Sequence, residues 1–251
     1  MDKVVKLKPV VKSYLWGGTY FQKYGKGNQD IISELWELSV REDDSSFVDE
    51  TNQRLIDVIT KEDLGPNCLR FPYFPILIKL IDAKDDLSIQ VHPSDEYALK
   101  NEHSFGKSEM WYVLDASKNA KLVYGFRADM TKERIRKSIE RNSINKYLQK
   151  VKIHKGDVFY IEAGTVHAIG AGALIAEIQE NSNITYRMYD YDRVDKNGCK
   201  RELHIDKAKA EMTTTNESEN KAKITEAIIT TIAELCNLSQ VGQVTFLVNS
   251  A

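Results

Sequence analysis

Between residues 76 and 191 the chain is a series of short β-branched and aromatic runs separated by turn residues, and this punctuation limits the fold more than any other feature. Residues 76–81 (Ile-Leu-Ile-Lys-Leu-Ile), 87–92 (Leu-Ser-Ile-Gln-Val-His), 109–114 (Glu-Met-Trp-Tyr-Val-Leu) and 121–126 (Lys-Leu-Val-Tyr-Gly-Phe) are each of strand length and rich in residues that suit a pleated surface. The pattern resumes at 156–161, 173–179 and 184–191, with Gly164, Gly170 and Gly172 at intervening turns. Prolines between Pro66 and Pro75 mark a loop feeding the first run, and Pro93 ends the second. Helical periodicity is concentrated in two stretches. Residues 52–60 carry Leu55, Ile56 and Ile59 on one face, and 130–151 opens on Thr131 with Glu133 in its first turn. A mainly β chain with helical insertions follows, as a sandwich or a barrel.

Composition bounds the function classes. A chain of 251 residues can bury one substantial core, with room for a smaller appendage. Its 35 basic and 37 acidic residues leave a net charge of −2, which lacks the basic field of a nucleic-acid binder. Hydrophobic residues at 42% and charged residues at 29% describe an ordinary globular protein, not a disordered one. No apolar run reaches the roughly 18–20 residues that span a bilayer, and no h-region follows the N-terminal lysines. Cys68, Cys199 and Cys236 are too scattered for a disulfide framework or a zinc ribbon. The expectation is a cytoplasmic chain with no nucleic-acid or membrane partner. Residues 213–223 are polar and read as a linker, and 224–251 fit either a helix or short strands.

In residues 88–92, period-two alternation puts Ser88, Gln90 and His92 on one face and Ile89 and Val91 on the other. Lys107, Glu109 and Trp111 share a face of a second run, and His167 follows the Gly164 turn. Two imidazoles and a carboxylate from three strands make an N/O site with room for water or substrate. Such a set suits zinc, with ferrous iron and manganese as alternatives.

The spacing Gly156, Glu162, Gly164, His167 follows the cupin-type signature G-x5-P-x-G-x2-H, with Glu162 at the proline position. Four motifs occur in order: Ser-Ile-Gln-Val-His-Pro (88–93), Gly-Lys-Ser-Glu-Met-Trp-Tyr (106–112), Gly-Thr-Val-His-Ala-Ile (164–169) and Thr-Tyr-Arg-Met-Tyr-Asp-Tyr-Asp-Arg (185–193). Tyr-Leu-Trp-Gly-Gly (14–18), Phe-Pro-Ile-Leu-Ile-Lys (74–79) and Leu-His-Ile-Asp (203–206) support them. From about residue 5 to 210 the chain resembles the short-chain type I mannose-6-phosphate isomerases. The resemblance implies a cupin-like (jelly-roll) β-barrel with helical insertions. It also implies one zinc ion per chain and isomerisation of mannose 6-phosphate to fructose 6-phosphate through an enediolate.

Carried over by position, the metal ligands would be His92, Glu109 and His167, with Gln90 as a fourth. Arg187 and Glu177 match catalytic positions, Lys79, Ser88 and Lys107 match positions that hold the phosphorylated substrate, and Trp16 resembles the aromatic lining the sugar pocket. The chemistry is coherent: a metal polarises neighbouring oxygens, Arg187 faces developing negative charge, and lysines read phosphate. The base stays open between Glu177 and a solvent base at the metal. His204 lies in a family-like motif without an assigned role. The expected division is a catalytic cupin domain over 1–212, a linker over 213–223 and a tail over 224–251. The second cupin domain of the family is expected to be truncated or absent, which leaves self-association open. Two rivals remain, a silent sugar-phosphate-binding cupin and a ferrous-iron cupin oxygenase. The phosphate-reading Lys107 and Arg187 count against the oxygenase.

Overall fold

The computed structural model describes residues 5–24, 30–64, 68–69, 71, 74–195 and 197–215. The greater part of the expected linker and all of the 224–251 tail lie outside the described residues. In chain order the strands are β1 (Leu7–Lys8), β2 (Val10–Lys12), β3 (Glu34–Leu38), β4 (Phe47–Val48), β5 (Ile76–Ala83), β6 (Ile89–Val91), β7 (Glu109–Ala116), β8 (Lys121–Phe126), β9 (Leu148–Lys152), β10 (Val158–Ile161), β11 (His167–Ile169), β12 (Ala173–Glu180) and β13 (Tyr186–Tyr189). The α-helices are α1 (Leu55–Val58), α2 (Asp95–Asn101), α3 (Lys132–Glu140) and α4 (Ile205–Glu211). None of the described helices is long and apolar enough to cross a membrane.

The strands form two large antiparallel sheets. One has six strands in the order β10-β7-β12-β5-β3-β2, and the other has five in the order β13-β6-β11-β8-β9. The non-sequential order is that of a mainly β, jelly-roll-like cupin architecture; among the described residues the two sheets do not close into a barrel. They pack face to face through one apolar cluster. Ile81, Trp111, Val113, Ile161 and Ile175 come from the first sheet, and Leu122, Tyr124 and Ile169 from the second. Full burial of each such aliphatic side chain stabilises by roughly 1.5–3 kcal/mol, which offsets the cost of the polar row set in the same interior. The outer face of the five-stranded sheet is covered by α3 and α4, where Val91, Ala168, Tyr186 and Met188 pack with Ile135, Ile139, Ala208 and Met212.

The helices differ from the sequence expectation in length. The stretch read as one helix over 130–151 is α3 alone, capped by the Thr131 hydroxyl accepting from the Arg134 N–H. Asn142 takes a positive φ of 53°, which stops the helix, and a short 3-10 turn leads into β9. Ile144, Leu148 and Val151 have helical spacing, but Ile144 is buried in the 3-10 turn, and Leu148 and Val151 lie in a strand that pairs with β8. The helix expected over 52–60 shrinks to the single turn of α1, which has no side-chain cap at Arg54.

The β11–β12 turn is tight. A Cβ on Gly170 would stand 2.0 Å from the Lys121 carbonyl oxygen. Gly170→Ala should therefore lower stability by about 1–3 kcal/mol, read as a fall in the urea midpoint. An unchanged midpoint would show that the turn yields freely.

Candidate metal centre

The polar row follows from strand alternation inside the sandwich. On β5 the buried positions are Leu77, Lys79, Ile81 and Ala83; on β7 they are Glu109, Trp111 and Val113. On β12 they include Ile175, Glu177 and Gln179. Register sets Glu177 between Lys79 and Trp111 across the sheet. On the facing sheet Ile89 and Val91 turn outward into the helix-covered cluster, so Ser88, Gln90 and His92 turn inward as expected. His167 is paired with Gln90 on one side and Tyr124 on the other, and Arg187 is paired with Gln90 from β13.

Three of these side chains converge. Glu109 Oε2 lies 3.4 Å from His92 Nε2, and Glu109 Oε1 lies 3.4 Å from His167 Nε2. Each imidazole is oriented through its other nitrogen: His92 Nδ1 is 2.9 Å from the Ile184 carbonyl and His167 Nδ1 is 2.8 Å from the Thr165 carbonyl. With Nδ1–H donating to backbone, both Nε2 lone pairs face the carboxylate. The Thr165 carbonyl is set by the turn at Gly164, whose φ of +91° suits glycine. Gln90 Nε2 stands 3.4 Å from His167 Nε2 at the edge of the group. Among the described residues, His92, Glu109 and His167 form a group whose ligand atoms all lie within 4.8 Å of one another.

The donor chemistry fits a metal ion. His92 Nε2 and both Glu109 oxygens are buried without a hydrogen-bond partner, an arrangement that costs free energy unless something else satisfies them. Lys107 Nζ makes an ion pair with Glu109 Oε2 at 2.9 Å. Burial opposes the charge on Glu109, but the Lys107 ammonium and then the His92 imidazole outweigh it and hold the carboxyl well below its ordinary range. Burial pushes His92 down to about 3, helped by Lys107, and burial also lowers His167. Both rings are neutral near pH 7, as ligation requires.

This has a pH consequence for the metal-free chain. Unfolding returns an imidazole to about 6.5, so below that pH the unfolded chain takes protons that the folded chain refuses. Stability then falls as pH falls. For His92 alone the loss between pH 7 and pH 5 is expected to be about 2 kcal/mol, measured as urea midpoints after chelation. Equal midpoints would contradict a buried, neutral His92.

Beside the centre lies a second charged group. Lys79 Nζ is 3.0 Å from Glu177 Oε1, and Lys107 Nζ is 4.0 Å from the same oxygen. Trp111 Nε1 donates to Glu177 Oε2 at 3.0 Å, and Lys79 lies over the Trp36 ring at 5.1 Å. Burial disfavours the Lys79 charge, but Glu177 and then Glu34 outweigh that and raise its pKa. Arg187 is half-buried; its Nη1 donates to the Glu202 carbonyl at 2.9 Å while Nε has no partner. Ser88 is buried on the inner face beside Gln90. Trp16, 4% exposed, packs in the shared core with Ile81 and Trp111 and stacks on Tyr14 at 5.5 Å.

The structure thus brings His92, Glu109, His167 and Gln90 into one group, with Lys107 joining it to Lys79 and Glu177. Trp36, at the back of Lys79, and the orienting carbonyls of Thr165 and Ile184 had not been singled out. Trp36 is one apolar residue in a strand, and a carbonyl leaves no mark in a sequence.

Known proteins share this arrangement of strands. Residues 4–121 match the profile described as phosphomannose isomerase type I, catalytic domain, which takes in His92 and Glu109. A mannose-6-phosphate isomerase of Streptococcus mutans is 39% identical over 216 residues, covering 83% of this chain and 67% of that protein. A crystal structure of the mannose 6-phosphate isomerase from Bacillus subtilis superposes with a TM-score of 0.79 at 38% identity, covering 84% of this chain and 69% of the other. The chain belongs to the type I phosphomannose isomerase family. The resemblance carried by the four motifs is borne out. A probable mannose-6-phosphate isomerase of B. subtilis is 43% identical over 211 residues, which is 80% of this chain. The chain spans 66% of that relative's length. As a type I phosphomannose isomerase family member, it has the candidate metal group His92, Glu109 and His167, together with Glu177 and Arg187, within the described residues.

Proposed function

We propose that the chain is an aldose–ketose isomerase that interconverts mannose 6-phosphate and fructose 6-phosphate through an enediolate. The observation that carries this reading is the convergence of the buried donors of His92, Glu109 and His167, those of His92 Nε2 and Glu109 without a hydrogen-bond partner, beside a lysine-paired Glu177 and next to the half-buried Gln90, which pairs with Arg187. His92, Glu109 and His167 would hold one zinc ion, with Gln90 as the fourth ligand. Bound there, zinc supplies Lewis acidity toward the substrate's carbonyl and hydroxyl oxygens.

The remaining tasks fall to the chain's own residues. Arg187, with Nε uncommitted, takes the negative charge that develops on the enediolate oxygens. Glu177 moves the proton between C2 and C1 at Oε1, the oxygen facing both ammonium groups. Ser88, Lys79 and Lys107 serve the phosphorylated substrate and Trp16 its sugar face. Lys79 and Lys107 already have carboxylate partners, so a phosphate engages them in competition with Glu177 and Glu109.

The test is metal analysis of the purified chain together with a coupled assay for fructose 6-phosphate. Zinc near one per chain with turnover supports the isomerase. Binding of the sugar phosphate without turnover points to a silent binding protein, and iron with oxygen consumption points to an oxygenase; either outcome overturns the proposal.

A further inference from the structure

We infer that His204 is a positioning residue for Arg187, acting through the backbone of β13. The inference rests on the catalytic role proposed for Arg187. Among the described residues, β13 is the edge strand of the five-stranded sheet, paired only through β6. Residues 202–204 lie along its open side and grip it at one point. The Arg187 N–H donates to His204 Nδ1 at 3.2 Å, and the His204 N–H donates to the Arg187 carbonyl at 2.7 Å. The Glu202 carbonyl accepts from the Arg187 guanidinium at 2.9 Å. Backbone and head of the arginine are therefore fixed from the same three-residue segment.

The side chain of His204 is the unusual part of this grip. His204 stands at the N-cap of α4, yet it makes no side-chain cap to that helix. Its carbonyl starts the helix by accepting from the Ala208 N–H, while its ring turns to the strand. A ring nitrogen thus replaces the carbonyl that a neighbouring strand would offer. An acceptor Nδ1 requires the neutral tautomer with its proton on Nε2.

The groups around the ring favour that form. Burial lowers the His204 pKa, and Arg187 on β13 and Lys207 on α4 lower it further, against Glu202 and the Glu102 carboxylate at the end of α2. Glu202 Oε2 lies 3.9 Å from Nε2, and the Tyr186 ring is 6.4 Å away. Because Arg187 is rooted in an edge strand, loss of the acceptor would free one of its two lateral backbone bonds, and a guanidinium at the end of a long side chain magnifies the shift.

His204→Asn keeps an acceptor, Oδ1, near the Nδ1 position; His204→Ala removes it. Nitrogen-15 spectra of the wild-type ring should show Nδ1 unprotonated and Nε2 protonated at neutral pH. The Arg187 amide resonance should move in His204→Ala and return toward wild type in His204→Asn. In the coupled assay His204→Ala should lose about tenfold in kcat, with KM and metal content within about twofold. His204→Asn should recover to within about threefold. A protonated Nδ1, wild-type kcat in His204→Ala, or an asparagine variant as impaired as alanine would overturn the inference. An inactive wild-type chain would refute the isomerase reading instead, and the ring-nitrogen and amide shifts would still decide the role of His204.

Discussion

Replacing His167 with alanine is expected to strip the centre of metal and abolish turnover in the same step. His167 is fully buried, its Nδ1 is committed to the Thr165 carbonyl, and its Nε2 faces Glu109 and Gln90. Alanine leaves His92 and Glu109 as the strong donors, and two donors do not hold a zinc ion against water. Metal affinity should fall by more than the roughly 10–100-fold caused by losing a mere supporting partner. The cavity beside Trp111, whose ring meets His167 edge-on at 5.5 Å, adds a destabilisation of about 2 kcal/mol. Metal content after dialysis and kcat should drop together while circular dichroism stays folded. Full metal retention by this variant would remove His167 from the ligand set.

Arg187→Ala is expected to separate metal binding from catalysis. A guanidinium is not a metal ligand; Arg187 pairs with Gln90 through its strand, and its head donates to the Glu202 carbonyl while Nε is unpartnered. Removing a fixed positive charge from the side of a developing oxyanion costs on the order of 10²–10³ in kcat. Metal content should stay at the wild-type level. Lysine in its place should recover only part of the rate, because a point charge does not reproduce the fork. Loss of metal from Arg187→Ala would mean that the residue holds the centre together and does not serve charge alone.

Local pattern made the inward face of the chain readable. The alternation at 88–92 put Ser88, Gln90 and His92 on one side, and the outward packing of Ile89 and Val91 against the helices agrees with it. The Gly164 turn and the runs at 76–81, 109–114 and 121–126 were equally visible, because each depends on neighbours in sequence. The identity of cross-strand partners was not visible. That Lys79 meets Glu177 and lies over Trp36 depends on the register of β5 between β12 and β3, which is set by distant segments. The end of α3 was misread for a related reason. Ile144, Leu148 and Val151 satisfy a helical period, and only the pairing of Leu148 and Val151 with β8 shows that a turn and a strand replace the helix there. His204 carried a motif but no meaning until its ring was seen against the edge strand.

The most direct test of the metal-centred account is a titration of the chelator-treated chain with zinc, followed by the rate of fructose 6-phosphate formation. The prediction is a rate that starts near zero and rises linearly to a plateau at about one zinc per chain. Turnover that is full without metal, or absent at saturating metal, would contradict it.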